Sequence, residues 1–338
     1  MRTSPVVTVG SLGGTITMTA ATGPHGVMPS LAADDLLASL PGLPPAIEVR
    51  AETLRTKPGA SLEFADLADA LLWAHRAVDD GTAGVVLAQG TDTLEETSYL
   101  LDLYWDRAEP LVMTGAMRPP QQPSADGPAN LLGALVTAAA PESRGLGVLA
   151  VLNDEVHAAS RVRKCDTTAL GAFSSAPFGP LARIHEGQVV YANRPLRPQP
   201  LPGPVPARTP KVALLEASLG DGGELVALAG EAGFDGIVLS AFGAGHTSAA
   251  MATMVAKAAE RIPVVLASRA GAGSVLKGTY GFAGSERDLL DHGAVPAGWL
   301  DPRKARILLG CLLAAGEPVD RIRAEFARRG GRIFGSSA

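Results

Sequence analysis

Short apolar runs that stop abruptly in polar loops, several of them followed by a helical pattern, constrain this chain most. Residues 6–9, 85–88, 110–114 and 146–152 are such runs. A run without polar alternation fits a strand that is covered on both faces, as in a parallel sheet. The repeated order of strand, polar loop and helix predicts an α/β fold with a doubly wound, mainly parallel sheet and right-handed crossovers.

Two of the predicted strands end in loops that carry threonine. Residues 89–93 supply an amide, a glycine, two hydroxyls and a carboxylate, with Thr91 and Asp92 at the centre. The first strand runs into the glycine-rich residues 10–14, and Thr15 follows them directly. Open α/β sheets bind ligands at the carboxyl ends of their strands, so we expect both loops to face one crevice.

Simpler interpretations exist for each loop taken alone. A single Thr-Asp pair more often shapes a turn than a site. The glycines of residues 10–14 give no G-x-G-x-x-G fingerprint, and no Walker lysine follows them, so nucleotide binding is poorly supported.

Three loops are predicted to end at helix caps. Thr93 with Glu96 fits a capping box, which predicts a helix from about Leu94. Ser61 and Asp126 are candidate N-caps of two further helices.

Composition and charge limit the class of protein. The chain has 338 residues, 46% of them apolar, which is enough to fill the cores of two domains. A net charge of −5 argues against nucleic-acid binding and favours a small polar substrate. No stretch approaches the ~20 apolar residues that span a bilayer, and no signal-peptide pattern opens the chain. We therefore expect cytoplasmic residence without nucleic-acid or membrane partners.

The residues that usually bind metals are scattered. The six histidines form neither an H-E-x-x-H motif nor paired Cys/His spacing, so no metal site is predicted. Cys165 and Cys311 are expected to be reduced thiols. Since no G-x-S-x-G elbow is present, a nucleophile is best sought among the threonines, whose hydroxyl needs a proton acceptor.

A dense run of prolines divides the chain. Residues 193–210 favour extended backbone and exclude a central strand or helix. We predict a larger N-terminal α/β domain at 1–192, a linker at 193–210, and a smaller C-terminal α/β domain at 211–338.

Two other segments are candidates for the crevice. Residues 17–30 are small and polar without apolar periodicity, which fits either a mobile loop that closes over the site or an ordinary connection. Lys164 lies between Arg163 and Cys165, with Arg161 close by, and neighbouring cations favour a neutral lysine that can carry protons. A solvated basic loop is the alternative.

Several motifs together resemble the bacterial L-asparaginase/glutaminase family. They are GGTI at 13–16, GTDTLEETSYLLDL at 90–103, GAMRP at 115–119, SADGPxNL at 124–131, ND at 153–154 and LDPRKAR at 300–306. Their order and spacing extend the resemblance over most of the chain. The family has a large N-terminal and a smaller C-terminal α/β domain, with sites built between subunits, so a homodimer or homotetramer is implied.

The resemblance implies hydrolysis of L-asparagine to L-aspartate and ammonia, without a cofactor. Thr15 corresponds to the nucleophile that forms an acyl-enzyme. Thr91, Asp92 and Lys164 correspond to a second threonine, an aspartate and a lysine, and this lysine assists the proton transfers of the threonine.

Substrate contacts are implied in the same way. Asp92 would bind the α-ammonium, Ser61 the α-carboxylate, and the backbone carbonyl of Ala116 the side-chain amide. Amide hydrolysis also needs an oxyanion site, which the N–H groups of residues 10–15 can supply.

The chain departs from the family at two places. Residues 16–40 contain no tyrosine, although a tyrosine of the mobile loop partners the nucleophile in the family. Residues 271–297 differ where the family has an intersubunit glutamate. We expect Tyr280, from this or an adjacent subunit, and Glu286 as replacements, the alternative being a packed tyrosine in a surface loop.

Other functions remain open at this stage. A tRNA-dependent amidotransferase subunit shares the fold but would be expected to carry an extra N-terminal domain and a basic surface. An oxidoreductase would need a proper glycine fingerprint, and the missing tyrosine leaves room for a non-catalytic asparagine sensor.

Overall fold

The chain forms two compact units, Met1–Val205 and Pro206–Ala338. The structure is a computed structural model and describes residues 4–20, 27–29, 31–42 and 46–331. Residues 21–26 and 30 of the predicted mobile loop lie outside the described residues, so its mobility stays a prediction. The boundary between the units falls inside the predicted linker 193–210.

The first unit alternates strands with helices, as the sequence predicts. Its strands in the described ranges are β1 (Val6–Ser11), β2 (Met18–Ala20), β3 (Val27–Pro29), β4 (Glu48–Thr53), β5 (Gly84–Ala88), β6 (Leu111–Thr114), β7 (Val148–Leu152), β8 (Glu155–Ala158), β9 (Arg163–Lys164), β10 (Phe173–Ser174), β11 (Ala182–His185) and β12 (Gln188–Tyr191). Its helices are α1 (Ala33–Ala38), α2 (Phe64–Asp79), α3 (Leu94–Tyr104) and α4 (Gly127–Ala139).

Eight of these strands form one sheet in the order β12-β11-β8-β7-β6-β5-β1-β4. The pairs from β4 to β7 are parallel, and the pairs from β7 to β12 are antiparallel. Every residue of β5, β6 and β7 is buried, because helices cover the centre of the sheet. The predicted mainly parallel sheet in the larger domain is confirmed.

Strands β8, β11 and β12 are not predicted from the sequence. They are short, and exposed residues interrupt β11 and β12, so these strands present no continuous apolar run. They extend the sheet by antiparallel pairing beyond β7, where alternation of buried and exposed positions is the normal pattern.

The predicted linker is extended but its first part packs on the first unit. Residues 192–211 contain no helix or strand. Leu201 is buried, and its N–H donates to the carbonyl of Leu103 across 2.6 Å. Arg197 donates to the Asp102 carboxylate at 3.0 Å.

The second unit is a smaller α/β unit, as predicted. Its sheet is parallel throughout, in the order β13-β14-β15-β16, with β13 (Val212–Glu216), β14 (Gly236–Ala241), β15 (Val264–Ser268) and β16 (Val295–Pro296). Its helices in the described ranges are α5 (Glu224–Glu231), α6 (Ala249–Ala259), α7 (Glu286–Asp291), α8 (Pro302–Ala314) and α9 (Val319–Arg329).

Three general expectations can be compared with the described residues. Cys165 and Cys311 are free thiols. Among the described helices none is long and apolar enough to cross a membrane. The same part of the chain brings no three metal-binding side chains together.

Candidate active site

The loops that follow β1 and β5 meet at the carboxyl edge of the large sheet. The turn that precedes α2 joins them there. β1 and β5 are parallel neighbours, with Ser11 opposite Ala88, so the residues that follow them are adjacent. A Cβ placed on Gly14 would lie 2.0 Å from the backbone nitrogen of Gly90, and one on Gly59 2.9 Å from the carbonyl of Gly90. Gly14 has φ +89°, so both its conformation and its surroundings require glycine.

Thr15 begins a 3₁₀ turn directly after this contact. The turn spans Thr15–Thr17 and is fixed by Thr17, whose N–H and hydroxyl both donate to the carbonyl of Gly14 at 2.9 Å. Thr15 itself is half-buried. The structure therefore brings the Thr15 loop against the loop that carries Thr91, as the parallel pairing of the strands predicts.

Lys164 lies in contact with both predicted partners. Its amine donates to the Thr91 hydroxyl at 3.0 Å and to the Asp92 carboxylate at 2.9 Å. Thr91 is buried, and the side chain of Lys164 is 17% exposed, whereas that of Asp92 is 68% exposed. The Lys164 amine thus joins the buried Thr91 hydroxyl to the accessible Asp92 carboxylate. This arrangement suits proton transfer at the hydroxyl and cation binding at the carboxylate.

The predicted capping box at Thr93 is wrong, although α3 does begin at Leu94. The Thr93 hydroxyl makes no cap and instead donates to the carbonyl of Gly59 at 2.9 Å. It thereby fastens the 3₁₀ turn Gly59–Ser61 to the Thr91 loop. A bond between loops 34 residues apart overrides the local pattern that predicted a cap.

Ser61 is not the N-cap of α2, contrary to prediction. The helix begins at Phe64, and the Asp66 carboxylate accepts the N–H of Glu63 at 3.0 Å. Ser61 lies in the turn before the helix, where it is exposed. Ser61 is thus an exposed residue in the turn that packs against the Thr91 loop.

Asp66 is a buried carboxylate behind this turn. Lys57 donates to it at 2.7 Å and Arg55 at 2.8 Å. Burial alone would raise the pKa of Asp66, but the bonds from Lys57, Arg55 and the Glu63 N–H outweigh it and hold the pKa below its ordinary value. This ion cluster fixes the chain before Gly59.

Ala116 lies in a loop that is held by residues of α4. Its side chain is buried, and the N–H groups of Met117 and Arg118 donate to the Asp126 carboxylate at 2.9 Å each. The predicted side-chain cap by Asp126 is therefore wrong, since its carboxylate faces the loop after β6. The position of the Ala116 carbonyl follows from these backbone bonds.

Asn130 completes this support and is missed by sequence reasoning. Its amide donates to the carbonyl of Gly115 and to Asp126 at 2.9 Å each, and its carbonyl oxygen accepts the N–H of Asn153 at 2.8 Å. Asn130 falls within SADGPxNL and Asn153 within ND, so two of the motifs are joined by one side chain. The signal in the sequence is an amide side chain near the start of a mainly apolar helix.

Glu95 is also missed. It is 2% exposed on the first turn of α3, and its carboxylate accepts the backbone N–H of Lys164 at 2.8 Å. No local pattern distinguishes Glu95 from the neighbouring Glu96.

Glu286 and Tyr280 lie together in the second unit. The buried Glu286 carboxylate accepts the N–H groups of Thr279 and Tyr280 at 2.8 and 2.9 Å, and it lies 3.2 Å from Nε2 of His246. Burial opposes the charge, but these bonds lower the pKa of Glu286 below its usual value. Tyr280 is 43% exposed, and its ring packs edge-to-face on His246. Their part in a site with Thr15 stays a prediction.

The chain is similar to known proteins along most of its length. Residues 6–197 match the family described as asparaginase, N-terminal, and residues 211–326 the glutaminase/asparaginase C-terminal domain. A probable L-asparaginase from Deinococcus radiodurans is 38% identical over 80% of this chain and 81% of its own length. A probable periplasmic L-asparaginase from Haemophilus influenzae is 34% identical over 90% of this chain and 87% of its own length. The crystal structure of a probable cytoplasmic L-asparaginase from Campylobacter jejuni superimposes with a TM-score of 0.84 at 27% identity, covering 95% of this chain and 99% of that one.

Proposed function

The chain belongs to the asparaginase family, and we propose that it hydrolyses the side-chain amide of L-asparagine to L-aspartate and ammonia through an acyl-enzyme on Thr15. One observation carries the residue assignment. Lys164 contacts both Thr91 and Asp92 beside the glycine contact that positions Thr15.

The proposed reaction has two halves. The Thr15 oxygen bonds to the amide carbon while its proton moves toward Thr91 and Lys164, and N–H groups of residues 10–15 receive the oxyanion. The carbon–nitrogen bond then breaks, and the nitrogen takes that proton and leaves as ammonia. Water next attacks the ester, its proton returns to Thr15, and aspartate is released.

Three proposed contacts orient the substrate. The exposed carboxylate of Asp92 binds the α-ammonium, and the hydroxyl of Ser61 binds the α-carboxylate. The carbonyl of Ala116 accepts a bond from the side-chain amide. Asp92 then serves both the substrate and Lys164, which couples substrate binding to the proton carrier.

The second unit supplies the other proposed groups. Tyr280 offers a partly exposed hydroxyl-bearing ring, and Glu286 holds the backbone of Tyr280 in place. We propose a homodimer or homotetramer in which Tyr280 of an adjacent copy reaches the Thr15 crevice. Light scattering of the purified protein tests the assembly, and a monomer at assay concentration would exclude the shared site.

Cytoplasmic residence is proposed on the likeness to the C. jejuni protein, while the H. influenzae relative is described as periplasmic. Fractionation of cells that produce the protein tests this. Recovery in the periplasmic fraction would contradict it.

The function is tested by ammonia release from L-asparagine, L-glutamine and D-asparagine with purified protein. We expect the highest kcat/KM for L-asparagine. Calorimetric binding of L-asparagine without ammonia release would instead identify a non-catalytic binding protein, and faster release from L-glutamine would change the substrate.

A further inference from the structure

We propose that Glu95 is a positioning residue that holds Lys164 within reach of Thr91 and Asp92. The inference rests on the proposed function and deepens it, because it identifies what keeps the proposed proton carrier in place. The Glu95 carboxylate accepts the backbone N–H of Lys164 at 2.8 Å, and the Lys164 amine reaches Thr91 at 3.0 Å.

The position of Glu95 on α3 suits this role. Thr91 and Asp92 precede the helix by a few residues, and Glu95 lies on its first turn. One short segment therefore presents the hydroxyl and the carboxylate that the amine contacts, together with the acceptor that fixes the lysine backbone. A movement of the segment carries all three groups together.

The strand that carries Lys164 needs such an anchor. β9 has two residues and pairs with β10, which also has two, in a sheet separate from the main one. A two-stranded ribbon of this size has little stability of its own. The following residue, Cys165, donates its N–H to Ala172 within the ribbon, whereas the N–H of Lys164 points to α3.

The contacts of the Lys164 amine do not replace this anchor. The Asp92 carboxylate is mostly exposed, and ion pairs with such groups contribute little to stability. The carboxylate of Glu95 is buried, where a charge-assisted hydrogen bond is stronger. We therefore assign the placement of Lys164 chiefly to the Glu95 bond.

The far strand of the ribbon has its own attachment. Ser175 follows β10, and its hydroxyl lies 2.9 Å from Nδ1 of the buried His157 on β8. Loss of the Glu95 carboxylate should therefore move Lys164 while the ribbon stays joined to the main sheet through β8.

Displacement of a catalytic group by about 1 Å can reduce turnover by roughly 10²-fold. We expect Glu95→Ala to lower kcat by about 10- to 100-fold. KM should change by less than about threefold, because the Glu95 carboxylate bonds the backbone of Lys164, which is not one of the proposed substrate ligands.

A double-mutant cycle separates positioning from general damage. Glu95→Ala is measured alone and together with Lys164→Met. If Glu95 acts through Lys164, adding Glu95→Ala to the Lys164→Met protein causes no further loss of kcat. If the two residues act independently, their fold-losses multiply. An equal fold-loss in both backgrounds, or a normal kcat for Glu95→Ala alone, would overturn the proposal.

Three further variants complete the experiment. Glu95→Gln keeps an oxygen acceptor and should recover most of the lost kcat. Glu95→Asp retains the charge but shortens the side chain, and if Glu95→Ala does not fold, this variant must show the same dependence on Lys164. Asp102→Asn is the matched control, since Asp102 also lies on α3 and accepts a backbone N–H, that of Val148 at 3.0 Å.

Asp102→Asn should lower the melting temperature without the Lys164-dependent loss of kcat. If Asp102→Asn caused the same Lys164-dependent loss of kcat as Glu95→Ala, the loss would come from a less stable α3. That result would overturn the inference. Ammonia release by the unaltered protein is measured first. An inactive parent contradicts the proposed function, whereas an active parent with multiplicative losses contradicts this inference alone.

Discussion

The side-chain amine of Lys164 donates a hydrogen bond to the hydroxyl of Thr91 across 3.0 Å, although 73 positions separate the two residues. Thr91 is placed by the end of β5, and Lys164 by the short strand β9. The contact joins the Thr91 loop to the segment that carries Lys164. Taken alone, the sequence of that segment also fits an exposed basic loop. It favours proton transfer over solvation as the role of Lys164.

Lys164→Met should lower kcat for L-asparagine by about 10² or more, since positioned acid/base groups typically contribute 10²- to 10⁴-fold. KM should change less. Lys257→Met is a control, because Lys257 is exposed on α6 of the second unit. Full activity and an unchanged pH–rate profile in Lys164→Met would return this lysine to an ordinary surface role.

Gly14→Ala should abolish turnover and lower the melting temperature. The added Cβ would lie 2.0 Å from Gly90, at a position with φ +89°. Gly81→Ala is the matched control, because Gly81 has φ +91° but open space around it. Gly81→Ala should cost only the backbone strain, about 1–2 kcal/mol, and keep kcat. Equal effects of the two substitutions would show that close approach to Gly90 is unimportant.

Glu286→Gln should destabilise the protein near neutral pH but not at low pH. The folded-state pKa of Glu286 is lowered, so its carboxylate stabilises the fold fully above the unfolded-state pKa, and this contribution is lost as the pH falls through the folded-state pKa. Melting temperatures of both proteins from pH 7 to pH 3 measure the difference. A difference in melting temperature that stayed constant or widened toward low pH would contradict a lowered pKa of Glu286.

Tyr280→Phe should reduce kcat while leaving the melting temperature nearly unchanged, because the ring is retained and partly exposed. Tyr191→Phe serves as a control for loss of a hydroxyl. Tyr191 lies on β12 of the large sheet, and its hydroxyl bonds that of Ser143 at 2.7 Å. Its substitution should therefore affect stability and spare kcat. Unaltered turnover in Tyr280→Phe would leave Thr91 and Lys164 as the proton route.

The fold is largely predictable from the sequence where the apolar pattern is continuous. β1, β5, β6 and β7 follow from runs of buried residues, and α3 and α4 follow from helical spacing. The antiparallel strands β11 and β12 do not, because alternate exposed positions make them resemble loops. They form a hairpin with each other, and β11 joins this hairpin to the sheet by pairing with β8.

The candidate site divides in the same way. The loops of Thr15 and Thr91 are predictable because each follows a buried strand, and the parallel pairing of β1 with β5 brings them together. Thr93, Asp126 and Glu95 are not, since each side chain bonds a backbone group outside the helix that it begins or precedes. Local cap patterns assign the first two to helix ends, and tertiary contacts override those patterns.

The central claim is that Thr15 is the nucleophile of an asparagine hydrolase. The most direct measurement compares ammonia release from L-asparagine by the parent protein and by Thr15→Ala, with circular dichroism to verify the fold of both. We predict steady release by the parent and none above background by Thr15→Ala, at a similar melting temperature, because a half-buried loop hydroxyl contributes little to the core. Near-normal turnover by a folded Thr15→Ala would contradict the account and move the nucleophile to Thr91.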